Sequence, residues 1–124
     1  MSIISDYISQ VKSTIEKIPC VIANELTIDN RGDVVLYLKG IIVFTNQSEL
    51  HLKEYSISVP DFKKIAYSYH YQSVDEKLIF RYDNAEHHPE LKNFPHHKHV
   101  GDEIFSAEEA SLNKVLEIIN DLIK

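Results

Sequence analysis

Cysteine is nearly missing: Cys20 stands alone among 124 residues, so no intrachain disulfide can form and a cysteine-rich zinc site is excluded. A reducing, cytosolic compartment is the expectation for such a chain. No apolar run approaches the roughly eighteen residues needed to span a bilayer. Met1 is followed by an amphipathic stretch containing Asp6, not by a basic segment and a hydrophobic block, so a soluble, unsecreted protein without membrane contacts is expected. Cations are short too, 13 Lys plus Arg against 19 Asp plus Glu, for a formal charge of −6. A bulk electrostatic grip on nucleic acid is thereby disfavoured, because it works by matching phosphate charge with a cationic surface. Any RNA or DNA contact has to be local.

What is present suits a packed core. The hydrophobic share is 44%, with seven Tyr and five Phe, and the length fits one domain over residues 1–124. Between Lys77 and His99 the acidity lapses: Lys77, Arg81, Lys92 and Lys98 face only Asp83, Glu86 and Glu90. Counting His70 just upstream, six of the seven histidines lie between positions 70 and 99. Function is expected there.

Ile3, Ile4, Tyr7, Ile8, Val11, Ile15 and Ile18 fall three or four apart, which predicts an amphipathic helix with Asp6 in its first turn and Pro19 as its stop. Strands follow at Val21 to Ile28 and Val34 to Leu38, joined through the Asp29 to Asp33 turn cluster, where Asn and Gly tolerate positive φ. Gly40 punctuates, and the apolar run from Ile41 to Thr45 reads as a third strand buried on both faces. Ser48 to Ile57 favours extension and ends before Pro60.

The strongest strand signal is the alternation of Ile65, Tyr67, Tyr69 and Tyr71 with Lys64, Ala66, Ser68, His70 and Gln72. Leu78, Phe80 and Tyr82 repeat it after a polar turn around Ser73 to Glu76. Pairing Tyr71 with Phe80 sets His70 opposite Arg81 and Ser68 opposite Asp83, because directly opposed residues share one side of an antiparallel sheet. One face becomes aromatic core, and the other presents His70, Arg81 and Asp83. Asn84 to Phe94 is irregular, since His88 precedes Pro89. Pro95 starts a short extended run. Ser106 with Glu109 reads as a capping box for a C-terminal helix carrying Leu112, Val115, Leu116, Ile119, Leu122 and Ile123. The sum is an α+β domain, a largely antiparallel sheet of about five to six strands with an N-terminal and a C-terminal helix packed on it.

The segments Tyr67 to His70, Leu78 to Ala85, His87 to Glu90 and Phe94 to His99, with two His-His pairs and an Asp-Asn corner, resemble the TumE-type toxins of prokaryotic toxin-antitoxin operons. The likeness is close over about residues 64–101 and extends to the flanks by pattern. Glu86 departs from it, standing where proline is frequent. The resemblance implies a growth-inhibiting toxin of the type II kind, neutralised by binding of a cognate antitoxin, with RNA as the suspected target. The motif positions on this chain are His70, Arg81, Asp83, Asn84, His87, His88, His96, His97, Lys98 and His99. It supplies no individual roles.

Those roles follow from chemistry. Metal-independent RNA cleavage needs a base for the 2′-hydroxyl proton, an acid for the 5′-oxygen and a fixed cation beside the phosphate. Imidazole serves both proton roles because its reference pKa, about 6.5, lies near working pH. His97 or His88 is expected as base and His70, His87 or His99 as acid, with Arg81 and Lys98 on the phosphate and Asp83, Asn84 and His96 lining the substrate site. No cofactor is required on this reading.

Blander readings stand beside it. His97 and His99, two apart in a strand, could hold a divalent metal with His70 or His88 as third ligand, making a metal-dependent hydrolase. The histidine face could instead be a non-catalytic surface for the antitoxin or a nucleotide, and a homodimer is compatible with either. Asp83 and Asn84 are candidates for capping turns by bonding local backbone, His96 is a candidate for orienting backbone, and His51 reads as an isolated surface residue. Tyr67, Tyr69, Tyr71 and Tyr82 suit core packing better than base stacking. The segment His87 to His99 is expected to fold over the His70 and Arg81 side, because imidazoles buried among aromatics would each need partners for their ring nitrogens.

Overall fold

The N-terminal apolar stripe winds into helix α1 (Ile3–Glu16), capped by the Ser2 hydroxyl, which accepts from the Ser5 N–H at 3.0 Å. The computed structural model describes residues 2–86 and 88–124. Within these, α1 is followed by strands β1 (Val21–Arg31), β2 (Val35–Phe44), β3 (Glu49–Ile57), β4 (Lys63–Gln72), β5 (Leu78–Asp83), β6 (His97–Val100) and β7 (Glu103–Ser106), and by helix α2 (Leu112–Ile123). The strands form one antiparallel sheet in chain order. The α+β class is as expected, but the strand count is seven, above the expected five to six. β6 is the short extended run expected after Pro95, and its hairpin partner β7, four residues long, is too short to show a period.

Gly32 and Asp33 take φ of +61° and +57° in the β1–β2 turn, where the Val34 N–H closes on the Arg31 carbonyl. Gly40 does not break the chain into two strands. It sits inside β2 opposite Leu26, and a Cβ there would lie 2.6 Å from the Leu26 Cδ2 and 3.0 Å from the Glu25 carbonyl oxygen. The glycine marks a close approach of β1. Nor is the Ile41 end of β2 buried on both faces: Ile42 and Phe44 are fully buried, whereas Ile41 is 39% exposed. Both helices lie on one side of the sheet, and the other side is left open.

The core lies on the helix side. Val11 and Ile15 from α1 and Leu112, Val115, Leu116 and Ile119 from α2 pack with Leu38, Ile42, Leu50, Leu52, Tyr67, Tyr69, Tyr71 and Phe80. The first three of these tyrosines are core residues, as their alternation suggested. Buried Glu54 accepts from the hydroxyls of Tyr7 and Tyr69, tying α1 to β3 and β4. A β-bulge at Ile65, between the Tyr55–Ala66 and Ser56–Lys64 pairs, overturns the simple alternation of β4. It sends Lys64 to the helix side, where its Nζ donates to the Tyr69 hydroxyl and the Ala110 carbonyl, both at 2.7 Å, and leaves Ile65 exposed.

The helix cap also differs from expectation. Ser106 ends β7, and Ser111 caps α2 instead, its hydroxyl accepting from the Lys114 N–H at 3.2 Å. The β6–β7 hairpin has consumed the residues that the Ser106 cap required. No helix among the described residues is long and apolar enough to cross a membrane.

Replacing Gly40 with alanine should destabilise the protein by about 1–3 kcal/mol, since the Glu25 backbone cannot yield as a side-chain end can. Urea unfolding followed by far-UV circular dichroism checks this. An unchanged midpoint would show that β1 moves freely away.

Candidate functional site on the open sheet face

Antiparallel register places opposed residues side by side, so the open face can be read as rows running across the strands. One row is His51, His70, Arg81 and His99 on β3 to β6. The next is Lys39, Lys53, Ser68, Asp83 and His97 on β2 to β6. The Tyr71–Phe80, His70–Arg81 and Ser68–Asp83 pairs match the predicted register.

Asp83 is the centre. Its carboxylate, 5% exposed, accepts from the Arg81 Nε at 2.9 Å and from the Ala85 N–H at 3.0 Å. The Nε2 atoms of His97 and His99 lie 2.8 and 3.4 Å from its two oxygens. A carboxylate this far from water persists only with such company. Arg81 bridges outward, its Nη2 standing 3.2 Å from the His99 Nε2. Burial, with Arg81 alongside, holds His99 below the usual imidazole pKa, against the pull of Asp83. Its Nε2 thus stands between the guanidinium and the Asp83 carboxylate.

His97 is different. Its Nδ1 donates to the Pro95 carbonyl at 2.9 Å, so its Nε2 faces a carboxylate while Nδ1 faces another acceptor. Two acceptors at such distances require a cation, a proton or a metal ion, between Nε2 and the carboxylate. Asp83, His97 and His99 offer three ligand atoms within 4.8 Å of one another, a two-histidine, one-carboxylate set suited to a divalent transition metal. The Pro95 carbonyl is the outer-shell partner that such a ligand usually has.

His88 joins from the 84–96 loop, its ring 5.4 Å from that of His97 and 6.4 Å from that of His99, with Nδ1 3.3 Å from a Glu90 carboxylate oxygen. His88, His97 and His99 thus gather on the Arg81 side, as expected for this loop. His70 lies in the same row, bonded through Nε2 to the Gln72 side chain at 3.1 Å. Its pKa is lowered, chiefly by burial, with Arg81 and His51 adding and the Gln72 bond opposing.

Two expected site residues lie elsewhere, and a third, Asn84, borders the cavity but is tied to backbone. Lys98 alternates with His97 and His99, so it projects to the helix side and sits over the Tyr82 ring at 5.3 Å. His96 also turns that way, stacking on Tyr67 with its Nδ1 2.8 Å from the tyrosine hydroxyl. Asn84 spends its amide on the β4 backbone, accepting from the Tyr67 N–H and donating to the Ile65 carbonyl, both at 2.9 Å. His87, expected as an acid, lies outside the described residues.

Sequence reasoning missed other members of the face. His51 is not isolated: its ring is 6.2 Å from that of His70. Lys39 and Lys53 supply the cations that Lys98 does not. Tyr37 and Tyr55, paired across β2 and β3, stack at 4.9 Å. The signal for His51 was its pairing with His70, which requires the β3–β4 register. A cavity of about 730 Å³ opens over this face, running from the two tyrosines past Lys39, Lys53 and Ser68 to Arg81 and Asp83.

The fold and cluster define a small α+β protein with one helix-covered sheet face and one open face bearing histidines, an arginine and a buried aspartate. The family model described as Toxin TumE matches residues 9–124, and the chain belongs to the TumE toxin family. No curated protein and no solved structure matches it.

Because folded His70 takes up a proton less readily than the unfolded chain does, acid favours unfolding. This contribution is complete above the unfolded value of about 6.5 and is lost as pH falls toward the folded one. The Tm should therefore drop between pH 7.5 and pH 5, and His70→Gln should flatten the drop. A profile identical in the variant contradicts this assignment.

Proposed function

We propose that this toxin is an endoribonuclease that cleaves without a metal at the Arg81–Asp83–His99 cluster. The observation that supports it best is a guanidinium fixed by a buried carboxylate, beside an imidazole and bordering a nucleotide-sized cavity. Arg81 exchanges its bond to His99 for two phosphate oxygens, which a guanidinium grips in bidentate fashion. In a reversal of the roles expected from the sequence for His99 and His88, the freed His99 Nε2 takes the 2′-hydroxyl proton as the 2′-oxygen attacks phosphorus. The bond from phosphorus to the 5′-oxygen then breaks, and His88 supplies the proton that this oxygen needs. The products are a 2′,3′-cyclic phosphate and a 5′-hydroxyl end. His97, with both nitrogens engaged, positions Asp83. His70 lies beside Arg81 on the far side from His99 and helps hold the phosphate-binding row. An antitoxin that binds the protein in the cytoplasm would silence it by covering this face.

The Asp83, His97 and His99 ligand geometry favours a second reading, a metal-dependent hydrolase in which the same three side chains hold a divalent ion. Asp83, His97 and His99 would hold the ion, which would supply positive charge at the phosphate in place of the guanidinium.

Purified toxin should cut RNA in EDTA, leaving 5′-hydroxyl ends and sparing DNA. Arg81→Ala and His99→Ala should each cost about 10²-fold or more while retaining antitoxin binding. Cleavage lost in EDTA and restored by a single divalent ion would replace this reading with the metal one. Intact RNA under both conditions overturns ribonuclease activity altogether, and loss of antitoxin binding with toxicity would mark the cluster as a recognition surface.

A further inference from the structure

The tyrosine end of the cavity has no part in the chemistry above, and its composition is unusual for this protein. Tyr67, Tyr69, Tyr71 and Phe80 are at most 4% exposed, whereas Tyr37 is 43% exposed and stacks with Tyr55 on the open face. An interplanar angle of 26° leaves the two rings nearly parallel. The Arg31 guanidinium, held by the Asp29 carboxylate at 3.0 Å, lies 5.0 Å from the Tyr37 centroid. Ala66 and Ser68, small residues on β4, leave the floor of the cavity open between these rings and Arg81.

Charge points the same way. Lys39 and Lys53 are directly opposed between the tyrosine row and Asp83, and like charges so placed repel. Both are exposed, and among the described residues neither makes an ion pair. An anion bound between them would relieve the repulsion. Neighbouring strands lie about 4.8 Å apart and alternate residues about 6.8 Å apart along a strand, which puts Tyr55 about 12 Å from Asp83. That is within a dinucleotide's reach.

We propose that Tyr37 and Tyr55 form a nucleobase subsite for single-stranded RNA, stacking a base one or two nucleotides from the phosphate held by Arg81 while Lys39 and Lys53 take the intervening phosphate. This rests on the ribonuclease reading and deepens it by naming the substrate as unpaired strand. Exposed rings on an open sheet face hold bases through their π-faces, which every base shares, so the subsite recognises unpaired geometry and not one sequence. A base-paired duplex keeps its bases stacked on one another and cannot offer a free face to the pair.

The test combines binding and cleavage. A fluorescent single-stranded oligonucleotide with 2′-O-methyl sugars, which removes the attacking hydroxyl, reports affinity by anisotropy; the unmodified RNA reports KM. Tyr55→Ala and Tyr37→Ala should each weaken Kd and raise KM by about tenfold, equivalent to about 1.4 kcal/mol and within the range for one stacked base. Tyr55→Phe, which keeps the ring, should restore most of the affinity, and Tyr55→Leu, which keeps apolar bulk without a π-face, should not. Combining Lys39→Gln with Lys53→Gln should reduce the slope of log Kd against log salt by about 0.7 if the pair neutralises one single-strand phosphate.

The subsite is overturned if folded Tyr55→Ala and Tyr55→Leu proteins bind and cleave as the wild type does, or if duplex RNA binds as tightly as single strands. In that case wild-type cleavage still stands on its own. Conversely, a wild type that leaves RNA intact yet binds the oligonucleotide through the tyrosines overturns the ribonuclease reading and keeps the subsite.

Discussion

A buried carboxylate on the open face of the sheet is the constraint around which the site is organised. Asp83 sits at the end of β5, shielded from water, and its two oxygens are answered by Arg81, the Ala85 N–H, His97 and His99. Stranding such a charge costs several kcal/mol, so the groups that answer it are held in place by that cost. β6 must pair with β5 in the register that sets His97 opposite Asp83 and His99 opposite Arg81. The Pro95 carbonyl must in turn be placed to receive the His97 Nδ1. One buried acid thereby fixes a strand, a loop exit and the aim of a guanidinium.

The two faces of the sheet divide the labour. Helices α1 and α2 cover the aromatic side, where tyrosine hydroxyls find partners in Glu54, Lys64 and Ser48. A face sealed in this way is stiff, and side chains rooted on the opposite side of the same strands inherit that stiffness. The open side then presents rows of polar groups at spacings set by the sheet and not by flexible loops, which is what pre-organised chemistry needs. Among the described groups of the cluster, the Ala85 N–H and His88 arrive from a loop.

The β4–β5 hairpin was legible because any pairing that keeps the alternating rings on one face puts His70, Arg81 and Asp83 together on the other. β3 was obscure for a physical reason: its helix-side positions include Glu54 and Ser56, both buried and polar, so the hydrophobic alternation is broken and His51, Lys53 and Tyr55 lose their sidedness. β6 was expected only as a short extended run after Pro95, without a register or a partner strand. Once His97 to Val100 is a strand, Lys98 has to face away from its two histidine neighbours, which is why a cation adjacent in sequence is remote from the site. The bulge at Ile65 left no trace in the pattern, and it moved Lys64 into the core. Composition located the functional segment; cross-strand register, which no single segment carries, assembled the site from it.

The most direct measurement is a double-mutant cycle between Asp83→Asn and Arg81→Met, read as unfolding free energy in urea. If the carboxylate and the guanidinium form one unit, removing the second partner costs little after the first, and the cycle should give a coupling of about 1–3 kcal/mol. Losses that simply add would contradict the account, because Arg81 would then stand where it does for reasons independent of Asp83.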